Sequence, residues 1–106
     1  MGRIKSSVIP KSFMLGGSTI KVVHVNNDMN SSKVGTMDIA HGRVNIVNKY
    51  ENEECSMDYK EATFFHELTH AILFTMGENE LSENERFIEG FANLLHQYVK
   101  TVKYGK

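Results

Sequence analysis

The feature that most limits how this chain can fold is His66-Glu67-Leu68-Thr69-His70, set in the apolar run from Ala62 to Met76. The apolar positions of that run recur at helical spacing. Residues four apart on a helix stand one turn above each other, so both imidazoles can reach one point while Glu67, one step round, faces the space beside it. Two imidazoles so placed suit a zinc ion, and the intervening carboxylate suits a water molecule held next to it. The bland alternative is a helix face carrying one buried and one solvated histidine. Context favours the metal reading: a strand-rich half precedes the segment, and an acid-rich second helix follows within reach.

At 106 residues the chain has room for one domain, residues 1–106, large enough to fold around its own core without covalent staples. A formal net charge of -1 gives no electrostatic argument for nucleic acid or an anionic membrane. Cys55 is the one cysteine, which rules out an intrachain disulfide and leaves histidine without a thiol competitor for metal. No run approaches the length of a membrane span, and the opening residues lack the apolar core of a signal peptide. The expectation is a soluble, cytoplasmic protein with no membrane and no nucleic-acid partner.

The expected fold class is α+β: a small antiparallel sheet of about three strands followed by two long antiparallel helices. Residues 1–17, punctuated by Pro10 and Gly16-Gly17, read as an extended lead-in with one short element around Ser12 to Leu15. Ser18 to Val25 is dense in β-branched residues and reads as a strand, followed by a polar loop from Met29 to Lys33. Val34 to Ala40 and Arg43 to Asn48, joined at Gly42, suggest a hairpin. Lys49 to Cys55 reads as an acidic, solvated loop. Ser56 offers an N-cap for a helix ending at Met76, with Gly77 as its left-handed C-cap. Ser82 with Glu85 has the form of a capping box for a second helix, whose apolar stripe would be Phe87, Phe91, Leu94, Leu95, Tyr98 and Val102. The phenylalanines at 64, 65, 74, 87 and 91 read as core.

A catalytic zinc needs three protein ligands, and the first helix supplies His66 and His70. Counting back from the turn at residues 77–81 puts Glu89 level with His70, and Glu85 nearer the turn with a capping role of its own. Glu89 is therefore the preferred third ligand and Glu85 the alternative. Zinc lowers the pKa of a bound water from near 15.7 to about 7, and Glu67 would accept its proton and pass it to a leaving amine. An edge strand, Arg43 to Asn48 in this reading, could pair with an extended peptide. Among other polar residues, His24 and His41 suit strand surfaces, His96 could approach the site from the second helix, and Tyr98 and Tyr104 are possible hydrogen-bond donors.

The run His66-Glu67-Leu68-Thr69-His70, followed after eighteen residues by Glu89-Gly90-Phe91-Ala92, resembles the gluzincin metallopeptidases. That resemblance implies His66, His70 and Glu89 as zinc ligands, Glu67 as catalytic base and Asn93 as a supporting partner. The size and the strand-rich half look more like the small metallopeptidases of phage and mobile-element genomes related to the ImmA/IrrE group. Their fold is a minimal zincin, and some act on transcriptional repressors, which implies a peptide or protein substrate with a regulatory role. His96-Gln97 stands where that group often has Met-Pro after its double leucine. The chain does not resemble metzincins, which need Gly and His where Leu73 and Met76 stand. Two other readings stay open: a zincin-fold binding or regulatory protein with little turnover, and a hydrolase of non-peptide amides.

Overall fold

In the computed structural model, which describes residues 7–26, 35–50 and 53–105, the lead-in is already part of the fold. Strand β1 (Ser12–Leu15) turns directly into β2 (Ser18–Val25), with Leu15 opposite Ser18. Gly16 and Gly17 both have positive φ, 59° and 86°, which a tight two-residue hairpin turn demands and side chains resist. β3 (Gly35–Asp38) and β4 (Arg43–Val47) form the expected hairpin, with a single 3-10 turn at Ile39–His41 and Gly42 left-handed at its end. The loop expected from Met29 to Lys33 lies outside the described residues, as does Val34.

The sheet is mixed rather than antiparallel. Its order is β1-β2-β4-β3, and β4 runs parallel to β2, with Lys21 beside Arg43 and Val25 beside Val47. An antiparallel meander would have laid β3 against β2. Here β3 falls in sequence between two strands that pair in parallel, so β4 is inserted at the centre and β3 goes to the outside. The edge expected at Arg43 to Asn48 is consequently interior, and β3 is the outer strand. The acidic connection is not simply a loop: Lys49–Tyr50 (β5) pairs with Glu53–Glu54 (β6) in a two-residue ladder.

Helix α1 (Met57–Met76) has the expected ends. The Ser56 hydroxyl accepts from the Tyr59 amide at 3.1 Å, and Gly77, at φ 84°, closes it with its N–H on the carbonyls of Leu73 and Phe74. The chain then makes one further helical turn, α2 (Asn79–Ser82), before α3 (Glu85–Thr101). The capping box at Ser82 does not form. Asn84 caps α3 instead, its side chain accepting from the Phe87 amide at 3.1 Å, because Ser82 is still inside α2 with its own amide on the Glu78 carbonyl.

Val44 and Ile46 of β4, Ile20 of β2, Phe64 and Phe65 of α1 and Ala92 of α3 make the core, with Phe13 edge-on to Phe64 at 5.8 Å. The helices thus cover one face of the sheet. α3 turns Ile88 and Ala92 inward and leaves Phe87, Phe91, Leu94 and Tyr98 exposed. Phe74 is exposed as well, so of the five phenylalanines expected in the core only Phe64 and Phe65 are buried. Periodicity locates an apolar stripe, but on α3 two stripes run side by side and the described residues cover only one.

Candidate metal centre

α1 and α3 pack side by side, which brings the histidine face of the first against the first two turns of the second. His66 and His70 are half-buried, their rings 4.9 Å apart. Glu85, in the first turn of α3, sits across from both: one carboxylate oxygen is 3.5 Å from Nε2 of His66 and the other 3.4 Å from Nε2 of His70. Glu89, one turn on, places an oxygen 3.2 Å from Nδ1 of His66. Each Nε2 therefore faces Glu85, while the other nitrogen of His66 belongs to Glu89 and that of His70 to Ser82, whose Oγ is 3.2 Å away.

The donor set fits a metal ion. His66, His70 and Glu85 each offer a ligand atom within 4.8 Å of the others. Donors bonded to zinc at about 2.0–2.2 Å in a tetrahedron are about 3.3–3.6 Å apart, a range that takes in the 3.5 and 3.4 Å between the two Glu85 oxygens and the two Nε2 atoms. In the tautomer that leaves Nε2 unprotonated, imidazole nitrogen and carboxylate oxygen are both acceptors, and a cation between them would satisfy both. Metal-bound histidines normally also hold a partner on the second nitrogen, as both do here.

These groups line a cavity of about 650 Å³. Glu67 lies half-buried on the same wall as His66 and His70. The opposite wall is Gly35, Thr36 and Met37 of outer strand β3, and Tyr59 and Asn93 complete the lining. Gly35 has a steric reason to be glycine: a Cβ there would lie 2.5 Å from the Thr63 methyl and 3.4 Å from Cγ of Glu67, so β3 can rest on α1 beside Glu67 only without a side chain.

Of the residues singled out in the sequence, His66, Glu67, His70, Glu85, Glu89 and Asn93 all reach this cavity. His96 does not. Its Nε2 bonds Glu61 at 2.8 Å and its ring stacks on Phe65. His41 is held at the surface by Asp38, and Tyr98 and Tyr104 are exposed without lining the site. Sequence reasoning missed Ser82, Tyr59 and Gly35. The i, i+3 pattern hid the first by giving it another sufficient role, and no local signal marked the other two.

The chain matches no family model, no curated protein and no solved structure. Among the described residues, no helix is long and apolar enough to cross a membrane.

Proposed function

We propose that the protein is a zinc-dependent metallopeptidase. The observation that carries this reading is a histidine pair whose Nε2 atoms both face one α3 carboxylate, on the floor of a cavity walled by an outer strand. His66 and His70 would hold the ion through Nε2 together with that carboxylate. The geometry supports Glu85 in this part, and Glu89, preferred from sequence spacing, then orients His66 through Nδ1. A zinc ion held there supplies a Lewis acid that acidifies water and polarises a carbonyl oxygen.

The remaining work falls to the chain. Glu67 takes the proton of the attacking water and returns it to the departing amine nitrogen, so the peptide C–N bond breaks as the new C–O bond forms. Among the described residues β3 has a partner on one side only, and an extended peptide could pair its backbone with the other edge, which favours a peptide over a compact amide substrate. Tyr59 and Asn93 are the side chains at hand to bind the substrate's polar backbone.

The test combines metal content with hydrolysis of an unstructured protein such as casein. Wild type and Glu67→Gln are expected to carry one zinc per chain, with Glu67→Gln at least about a hundredfold slower. His66→Ala, His70→Ala and Glu85→Ala should lose the metal, and Glu89→Ala should retain it with affinity lowered about 10–100-fold. Retention by Glu85→Ala and loss by Glu89→Ala would exchange the two acids. Wild type that takes up no zinc would end the proposal, and stoichiometric zinc without turnover would favour a binding protein.

A further inference from the structure

Ser82 ends α2, and its hydroxyl reaches back to α1. Its Oγ is 3.2 Å from Nδ1 of His70 and 3.5 Å from the carbonyl oxygen of the same residue. A hydroxyl has one proton to give and lone pairs to receive with, whereas a carbonyl oxygen can only receive. With the hydroxyl proton turned to the carbonyl, the serine oxygen is free to accept from the ring, an arrangement in which Nδ1 carries the hydrogen. Nε2 is then left with its lone pair, aimed at Glu85. Which imidazole nitrogen is protonated is set by the bond the other makes. At His66 the acceptor is the Glu89 carboxylate; at His70 the same task falls to a neutral hydroxyl on a separate element.

We propose that Ser82 is a positioning residue that fixes His70 in the Nδ1–H tautomer, with Nε2 presented for coordination; this rests on the metal-centre reading above. The arrangement also accounts for α2. One extra helical turn between the two long helices is what brings residue 82 back over His70, and it does so while Asn84 assumes the cap that Ser82 would otherwise supply.

Two readouts test this without reference to turnover. In metal-free protein at about pH 8, long-range proton–nitrogen correlation of the imidazoles reports the tautomer of His70. Competition with a chromophoric chelator reports zinc affinity. Ser82→Thr and Ser82→Val are matched in shape and differ in the hydroxyl. Against the pull of the Glu85 carboxylate on an Nε2–H, wild type and Ser82→Thr are expected to show a larger Nδ1–H share at His70 than Ser82→Val. Ser82→Val should also weaken zinc binding about 10–100-fold, while the His66 signals stay put. The proposal is overturned if Ser82→Val shows the same Nδ1–H share as wild type, or binds zinc within twofold of Ser82→Thr. If wild type binds no zinc at all, the metal-centre reading fails, and the tautomer comparison still decides what Ser82 does to His70.

Discussion

Glu61, in the second turn of α1, is fully buried and is still a carboxylate. Lys100 approaches its two oxygens at 2.8 and 2.9 Å, His96 bonds one at 2.8 Å, and the Val8 amide donates to the other at 3.2 Å. Burial pushes its carboxyl up; the hydrogen bonds from Lys100, His96 and Val8 and the charge of Lys100 outweigh this and hold it below its ordinary value of 4.5. The hydrogen bond to Glu61 correspondingly raises Lys100. A carboxyl depressed in the folded chain contributes its stability in full above the ordinary value and loses it as pH falls through the folded value. Lys100→Met is therefore expected to lower the urea midpoint at pH near 7, with the gap from wild type closing in acid as pH falls through the depressed folded value and Glu61, once protonated, no longer needs a cation. A gap of equal size at neutral and acid pH would mean that the lysine acts by packing alone.

Among the elements, β3 is tightly placed where Gly35 lies against α1. Gly35→Ala forces a methyl against Thr63 and Glu67, and the expected cost is about 1–3 kcal/mol of overpacking, read as a lower denaturation midpoint. If β3 also receives the substrate, the loss in hydrolysis at a temperature where the variant is folded should exceed that of Thr63→Ser, which removes the methyl that Gly35 accommodates. Little of this was legible beforehand. The caps of α1 were, because Ser56 and Gly77 act through their own neighbours; so was the β3–β4 hairpin, where Gly42 sets the turn locally. The parallel placement of β4 was not, since alternation of side chains is the same whichever neighbour a strand finds. The α3 cap was misplaced by two residues because Ser82 and Asn84 both satisfy local preference, and a contact twelve residues back, to His70, separates them. The histidine pair stands out in sequence because its spacing is a helix repeat, whereas the choice between Glu85 and Glu89 depends on the offset between two helices.

At the scale of the molecule, the proposed ion would join α1 to α3 near the turn that connects them. Binding to the folded chain alone stabilises it by RT ln(1 + [L]/Kd), about 2.7 kcal/mol at a hundredfold excess over Kd. Chelation is thus expected to lower the thermal midpoint of wild type and to leave His66→Ala unchanged, as scanning calorimetry would report; equal sensitivity in both proteins would count against a bound metal in the native state. The order of the chain has one more consequence. Every donor to the centre lies between residues 66 and 89, whereas the strand that borders the cavity ends at residue 38. On the proposed reading, the chemistry and much of the choice of what undergoes it are thus written in separate stretches of the chain. Substitutions in β3 away from Gly35 would then redirect the site toward new targets while the ion's cradle stays as it is.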